Sequence, residues 1–302
     1  MTLTTLKVWI DAARLRTLPL ALSGLILTGF IVYSENNFNT NIFILTAVTI
    51  LLLQILSNFA NDYGDFKKGT DNRQRTGPQR TVQSGTISPK QMKNAIIITS
   101  VFAFFSGSSL LITVFKDIFN IYFFVFFASG IAAIAAAIKY TVGKNPFGYK
   151  GFGDIMVFLF FGIANIFGTY CLFTMQCNLT VLLPAISLGF FSVGVLNLNN
   201  MRDAINDKIS GKNTLAVKFG SKGSKIYHFI IITVGLILLS VFVFIKTDFI
   251  STISLVIPYS LFFIHLNKII KTDNPEKFDP ELKRLSLSTL AISVWTGTLL
   301  IF

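Results

Sequence analysis

The sequence has few charged residues, two cysteines and two histidines. Asp, Glu, Lys and Arg make up only 13% of its 302 residues, whereas hydrophobic residues make up 52%. That composition excludes an ordinary soluble domain and predicts a protein that crosses a membrane several times. Cys171 and Cys177 form no Cys-x-x-Cys or Cys/His pattern, so we expect neither a zinc site nor a disulfide and predict packing roles for both. His228 and His265 lie in late apolar segments without an evident partner, and packing roles are predicted for them too.

Long apolar runs fill most of the chain. Nine segments reach the roughly 20 residues that a bilayer-spanning helix needs. They lie near 17–35, 41–63, 93–115, 118–138, 154–176, 179–198, 225–246, 249–267 and 284–302. We therefore predict an all-α, polytopic membrane protein with nine transmembrane helices in a single domain over residues 1–302.

Positive charge is unevenly distributed between the connections. Of the 26 Lys and Arg residues, 24 precede the first predicted span or lie in alternate connections. Cytoplasmic loops concentrate positive charge, so we predict a cytoplasmic amino terminus, cytoplasmic long loops and an external carboxy terminus. Because the basic residues are interspersed, the net charge of +12 does not indicate a nucleic-acid partner. The connection 267–284 mixes both signs, and we expect it to be a solvated connector.

Four polar residues follow one face of the second predicted helix. At about 100° per residue, Gln54, Asn58, Asp62 and Asp65 fall within roughly 80° of arc. Five Lys and Arg residues follow between residues 67 and 80. Acids at the end of a spanning helix are costly unless they face a cavity or an ion, so this face is a candidate functional site.

A second polar face ends the sixth predicted helix. Asn199, Asp203 and Asp207 are spaced at i, i+4 and i+8 and therefore share one side. A single such pattern is more often a helix cap or a solvated terminus, but two with basic neighbours at corresponding helix ends favour a shared function. Mg²⁺ is usually bound through carboxylates plus substrate phosphates, so the pair predicts two Mg²⁺ ions on one diphosphate with a lipid-like substrate.

Five segments within residues 14–220 carry a family resemblance. They are RLRTLPLALSG, QILSNFANDYGDFKKGTD, RTGPQR, KYTVGKNPFGYKGFGD and NNMRDAINDKISGKNTLAVKFG. The chain resembles the membrane-embedded aromatic prenyltransferases of the UbiA superfamily, and within it the branch that prenylates 1,4-dihydroxy-2-naphthoate in menaquinone synthesis. The carboxy-terminal third matches only as hydrophobic helices.

The resemblance implies a nine-helix fold around a central cavity open to the cytoplasmic side. Two Mg²⁺ ions would hold a polyprenyl diphosphate there, and its ionisation would give an allylic cation. The prenyl group would replace the carboxylate of a naphthoate acceptor, giving demethylmenaquinone, CO₂ and diphosphate. The metal ligands it implies are Asn58, Asp62, Asp65, Asn199, Asp203 and Asp207, and we predict that Asp62 and Asp203 are catalytic.

One departure from the family pattern concerns Asp71. Many relatives read NDxxDxxxD, whereas here Asp65 is followed by Asp71 after five intervening residues. On a continued helix Asp71 would lie opposite Asn58, so it joins the site only if the helix ends by Gly69. Of the two acids we favour Asp65 as the ligand.

Basic and aromatic side chains near the motifs are predicted to bind the two substrates. Candidates for diphosphate contact are Lys67, Lys68, Arg73, Arg80, Lys139, Lys144 and Arg202, for each of which topogenic charge is the alternative explanation. Candidates for acceptor contact are Gln54, Arg14, Arg16, Tyr140 and Asp154. Asp154 would otherwise serve only the helix dipole.

Two other functions stay open at the level of sequence. A different aromatic acceptor such as 4-hydroxybenzoate would suit the same motifs. An ion-coupled transporter could also use an acidic site near a broken helix, although the polar groups all lie at one membrane face. The sequence does not indicate the prenyl chain length or the oligomeric state.

Overall fold

The computed structural model describes residues 3–72 and 76–302, and within these ranges every regular element is helical. The α-helices are α1 (Leu3–Ala13), α2 (Leu18–Ser34), α3 (Thr40–Lys68), α4 (Pro89–Val114), α5 (Ile121–Lys139), α6 (Gly153–Val157), α7 (Thr169–Thr174), α8 (Leu182–Ile209), α9 (Leu215–Lys246), α10 (Phe249–Ser254), α11 (Val256–Lys271) and α12 (Phe278–Leu299). A π-helix, Phe158–Gly168, joins α6 to α7. The prediction of an all-α protein is confirmed for the part of the chain described. Arg73 lies outside it, as does the side chain of Arg16.

Local sequence sets where the long helices begin and end. The Asn39 side chain accepts hydrogen bonds from the amides of Asn41 and Ile42 and so caps α3, as short polar side chains do at helix N-termini. Ser88 and Gln91 form a capping box at the start of α4. α3 ends where Gly69 adopts a left-handed conformation with φ 73°, which costs glycine nothing because it has no Cβ. The helix therefore stops before Asp71.

The number of membrane spans differs from the prediction. Each of the nine predicted segments lies mostly in helix, but among the described residues only seven helices are long and apolar enough to cross a membrane. α2 has 17 residues and becomes an eighth candidate only with the end of α1, from which it is bent by 61°. α12 is not among the seven: its first two turns carry two acids and two basic residues, Asp279, Glu281, Lys283 and Arg284, and many Ser and Thr residues follow. The count of nine spans is therefore not confirmed.

Two hydrophobic clusters hold the helices together. The smaller lies mainly among α1, α3 and α4, and the larger among α2, the α6–α7 segment, α8, α9, α11 and α12. In the larger cluster, a Cβ added to Gly162 would lie 2.5 Å from the Ala185 carbonyl oxygen and 2.7 Å from Gly189 Cα. These glycines let two backbones approach closely, a packing mode common between membrane helices. The close contact fixes α8 beside the π-helix.

The two cysteines contradict the expectation from sequence. Cys171 and Cys177 form a disulfide with their Cα atoms 5.2 Å apart, inside the usual range for bonded cysteines. The chain reverses at Met175, which adopts a left-handed conformation after α7, and this turn brings Cys177 back to Cys171. The prediction that both were unpaired packing residues was wrong because residue spacing does not reveal such a turn.

Polar contacts also join three helices near the disulfide. Glu35, directly after α2, accepts a hydrogen bond of 2.7 Å from the Tyr170 hydroxyl and one of 2.8 Å from Lys246 Nζ at the end of α9. These residues, with the disulfide, lie at the end of the bundle opposite to the two Asn/Asp motifs.

Candidate active site

The polar face of α3 is continuous, because the helix extends to Lys68. Gln54 and Asn58, which lie farther from the end of α3 than the acids do, contact α1 and the connection from α1 to α2. Asn58 Nδ2 donates to the Ala13 carbonyl oxygen at 2.9 Å, and Gln54 Nε2 donates to Thr17 Oγ1 at 3.0 Å. These hydrogen bonds fix the amide groups against the neighbouring connection, so both predicted residues lie where α1, α2 and α3 meet.

Arg80 lies among three carboxylates of the first motif. Arg80 Nη1 is 3.1 Å from Asp65 Oδ2 and 3.4 Å from Asp62 Oδ1, and Nε is 3.4 Å from Asp71 Oδ1. All four side chains are less than 10% exposed. Burial alone would lower the pKa of Arg80, but Asp65, Asp71 and Asp62 raise it above its ordinary value, so the guanidinium remains charged. Asp71 joins the cluster because α3 has ended.

Asp62 has further partners at the bottom of this cluster. Arg14 donates a hydrogen bond to Asp62 Oδ1, and Thr81 Oγ1 donates to Oδ2 at 3.0 Å. Arg14 is thus brought to the metal motif, although the sequence predicts it for the acceptor. The two assignments are compatible only if the acceptor lies beside Asp62.

The second motif is held by its own arginine. Arg202 Nε donates to Asp203 Oδ1 at 2.9 Å, and Nη2 donates to Asp203 Oδ2 and to Asn199 Oδ1, each at 2.8 Å. Nη1 pairs with Asp279 in the first turn of α12. Arg202 was predicted to contact diphosphate, but the structure places it in a buried ion-pair network with the predicted metal ligands.

Lys212 is a site residue that the sequence prediction missed. Gly211 takes a left-handed turn after α8, and Lys212 then lies 3.7 Å from Asp207 Oδ1 and 5.4 Å from the ring centre of Tyr149. Burial lowers its pKa, but Asp65 and Asp207 raise it above the usual value. One acid from each motif therefore stabilises the positive charge of Lys212. A Lys after a Gly just past an acidic helix end is the signal that could have identified it.

Hydrogen bonds join the two motifs directly. Asn206 Nδ2 of α8 donates to the Thr70 carbonyl oxygen at 2.8 Å. The Thr70 hydroxyl is 2.6 Å from the Tyr149 hydroxyl, which donates to Asp65 Oδ1 at 2.7 Å. These contacts confirm that the ends of α3 and α8 lie side by side, as the paired motifs predict.

The segment that leads to Arg80 lies against the second motif. A Cβ added to Gly77 would lie 2.6 Å from Arg202 Nη2 and 2.7 Å from its Cζ. Because no Cβ is present, the backbone at Gly77 can rest on the buried guanidinium. Residues 76–80 therefore extend from Arg202 to the carboxylates of the first motif.

The middle loop adds one tyrosine, Tyr140, and one acid, Asp154. Burial raises the pKa of Tyr140 to about 12, so its phenol is neutral near pH 7 and can donate a hydrogen bond. Asp154, which is 5% exposed, accepts a hydrogen bond of 3.2 Å from the Tyr227 hydroxyl. Tyr227 was not predicted from the sequence, since it lies in α9, far along the chain.

The predicted lysines do not gather at the acidic cluster. Lys67, Lys68 and Lys144 line a separate cleft of about 440 Å³ between the end of α3 and the loop after α5. Lys68 Nζ donates to the Lys144 carbonyl oxygen at 3.1 Å, and Lys139 is exposed on α5. Lys67 projects from the side of α3 opposite to Asn58. Helical geometry therefore explains why Lys67 faces away from the acidic cluster.

A buried histidine pair lies behind the second motif. His228 Nε2 is 2.9 Å from His265 Nε2, and His265 Nδ1 is 2.8 Å from Glu281 Oε2. Neither histidine has exposed surface. The expectation that they lack partners was wrong, as was the view of 267–284 as only a solvated connector, because Glu281 and Asp279 both contact earlier helices. Sequence separation concealed these contacts.

The donor chemistry of the site suits Mg²⁺, which prefers oxygen ligands. Besides the carboxylates, the amide oxygens of Asn61 and Asn206 are buried and have no hydrogen-bond partner among the described residues, and one lies in each motif. Within 3–72 and 76–302, no three His, Cys, Asp or Glu side chains are already arranged around a common metal position. Arginine and lysine groups instead neutralise the acids. The residues present fit a divalent cation if these groups change partners.

Comparison with known proteins agrees with this arrangement. The sequence profile of the UbiA prenyltransferase family matches residues 22–288. Two curated relatives, from Haemophilus influenzae and Escherichia coli, are both named 1,4-dihydroxy-2-naphthoate octaprenyltransferase and are 39% identical. The matches cover 96% of this chain and 94% of the first relative, and 78% of this chain and 76% of the second. A solved structure described as a UbiA homolog from Archaeoglobus fulgidus bound to GPP and Mg²⁺ has a TM-score of 0.68 at 14% identity, covering 98% of this chain and all of that chain. This last likeness shows the fold.

Proposed function

Since this chain belongs to the UbiA prenyltransferase family, we propose that it transfers a polyprenyl group from a polyprenyl diphosphate to 1,4-dihydroxy-2-naphthoate. The bond from the prenyl carbon to the diphosphate oxygen breaks, and that carbon bonds to the ring. The carboxylate on that ring carbon leaves as CO₂, and its bonding pair returns to the ring. The product has the demethylmenaquinone skeleton in its quinol form.

One observation supports this function above the others. Asn206 and Thr70 join the ends of α8 and α3, so the Asn/Asp motifs form one acidic site at one end of a bundle of apolar helices. A diphosphate with a lipid tail has the two chemistries that such a site and bundle accept. The names of the curated relatives supply the acceptor.

Six oxygen-bearing residues are proposed to hold two Mg²⁺ ions: Asn58, Asp62, Asp65, Asn199, Asp203 and Asp207. When bound, Mg²⁺ would neutralise the diphosphate and improve it as a leaving group. Asp71 is a further candidate ligand, since it lies at the same guanidinium as Asp65.

The cations of the site would then exchange partners. Arg80 and Lys212 now neutralise acids that a metal would neutralise instead, and both are proposed to contact diphosphate oxygens once the metal is bound. Arg suits bidentate phosphate contacts, whereas Lys acts as a compact charge. Arg14 beside Asp62, and Tyr140 and Asp154 in the middle loop, are proposed to contact the acceptor.

The distribution of positive charge supports an orientation in the membrane. We propose that the motifs, the long loops and the amino terminus face the cytoplasm, and that the carboxy terminus lies outside. A central cavity open to the cytoplasmic side, within a single domain over residues 1–302, is part of the same proposal.

A reconstituted assay tests the function. Purified protein with Mg²⁺, a polyprenyl diphosphate and 1,4-dihydroxy-2-naphthoate should release diphosphate and CO₂, and EDTA should stop the reaction. Asp203→Asn should reduce turnover at least about 100-fold, because it removes a negative charge from the metal site that no other residue replaces. Asp273→Asn, an exposed acid paired with Lys225, is the matched control. Turnover with 4-hydroxybenzoate but not with 1,4-dihydroxy-2-naphthoate would show that the acceptor is a different aromatic compound. Absence of turnover with every aromatic acceptor would refute the proposal.

A further inference from the structure

The first turn of α12 places a carboxylate against the second motif. Asp279 pairs with Arg202 Nη1 across 77 positions of sequence. The Asp279 side chain is 32% exposed, whereas that of Arg202 is 2% exposed. The ion pair therefore extends from solvent to a buried guanidinium.

That guanidinium is shared between two acids. Its Nε and Nη2 atoms donate to both oxygens of Asp203, while Nη1 is turned toward Asp279. A guanidinium carries one positive charge and several donors in a rigid fork. Part of its charge and one of its donors are thus engaged away from the predicted metal ligand.

We propose that Asp279 is a positioning residue for the metal site, which holds Arg202 by its far side and so leaves the Asp203 carboxylate able to bind a divalent cation. This inference rests on the proposed function, because it concerns the same acidic site. Without Asp279, the whole guanidinium charge would fall on Asp203 and compete with the metal. Removal of one member of an ion-pair network commonly changes the coupling among those that remain.

Metal binding without substrates tests the idea. The purified full-length protein in detergent is titrated with Mn²⁺, a paramagnetic substitute for Mg²⁺, and free Mn²⁺ is followed by electron paramagnetic resonance. We expect Asp279→Asn to raise the Kd for Mn²⁺ about tenfold, the order expected within one coupled network. Asp279→Glu, which restores the charge, should recover most of the affinity. Asp273→Asn removes one acid from the same connector and should leave the Kd unchanged.

A double-mutant cycle identifies the route. In an Arg202→Met background, Asp279→Asn should change the Kd less than about twofold, because the competing cation is gone. A tenfold loss that persists in this background would overturn the proposal, as would equal Kd values for Asp279→Asn and the unchanged protein.

Two controls separate other causes. Arg202 keeps Asp203 and Asn199 in the Asp279→Asn variant, so no buried charge is left unpaired, and the thermal unfolding midpoint should shift little. If that variant is not recovered folded, Asp279→Ser makes the same charge change with a smaller side chain and must give the same tenfold result. If the unchanged protein binds Mn²⁺ but the variants do not show the expected changes in Kd, only the role of Asp279 is refuted. If the unchanged protein is folded and binds no Mn²⁺, this inference and the metal site are refuted together. The acceptor assay measures turnover by the unchanged protein and so tests the proposed function separately from the role of Asp279.

Discussion

Replacing Arg80 with methionine removes the positive charge among the buried carboxylates of the first motif while keeping much of the side-chain volume. The negative charges of Asp62, Asp65 and Asp71 then lie close together with less positive charge to balance them. Among the described residues, Arg14 forms an ion pair with Asp62 but not with the other two. We expect the metal-free protein to lose stability and to gain more from a divalent cation than the unchanged protein does.

The magnitude follows from the distances. At an effective dielectric constant near 20, a charge pair at 3.1 or 3.4 Å is worth about 5 kcal/mol before desolvation. Desolvation of the guanidinium offsets most of this, and breaking one partner of a buried pair usually costs about 3–5 kcal/mol. A loss of that size should lower the midpoint of thermal unfolding on the order of 10 °C.

Thermal unfolding in detergent with EDTA and then with saturating Mg²⁺ or Mn²⁺ measures both effects. Lys90→Met is the matched control, since it removes one exposed positive charge from the start of α4 and should change the midpoint by about 1 °C or less. Because the metal replaces the missing charge, it should recover most of the loss in Arg80→Met. The reasoning fails if Arg80→Met unfolds at the unchanged temperature in EDTA, or if the metal raises both midpoints equally.

Further predictions concern residues 76–80, which lie against the second motif, and the far end of the bundle. Gly77→Ala should reduce kcat on the order of 10- to 100-fold, because its Cβ would displace Arg202. Gly130→Ala, where the added Cβ meets nothing within 4 Å, should leave kcat unchanged, and equal rates for both variants would contradict a role for the close contact between Gly77 and Arg202. In intact cells, a membrane-impermeant maleimide should label Cys171 and Cys177 only after reduction by an impermeant reductant. Labelling only after the membrane is opened would place the disulfide inside and reverse the proposed orientation.

The sequence predicted the helical parts of the site better than the connections. The spacing of Asn58, Asp62 and Asp65 fixes a shared face because helical geometry is regular, and the structure keeps that face to Lys68. The same regularity already placed Lys67 on the opposite side. Its position directly after the motif, by contrast, made Lys67 a candidate for diphosphate contact, and the structure assigns it to a different cleft.

The contacts that could not be predicted depend on tertiary packing. Arg80 reaches Asp65 through an irregular connection, and Asp279 reaches Arg202 from another helix, 77 positions along the chain. A local pattern contains no signal for these two pairs. The Cys171–Cys177 disulfide was missed for a shorter-range reason, a single left-handed residue between them.

The hydrogen bond from Asn206 to the Thr70 carbonyl has a consequence for how the site fills. The loop that carries Thr70 also carries Asp71 and begins at the end of α3, so a cation that reorders this loop at one motif also shifts a contact of the other. The free energy of reordering would then be spent largely on the first ion, and the second would bind to an arrangement already prepared. We therefore expect divalent cations to bind with positive cooperativity, and Asn206→Ala to make their binding curve less steep.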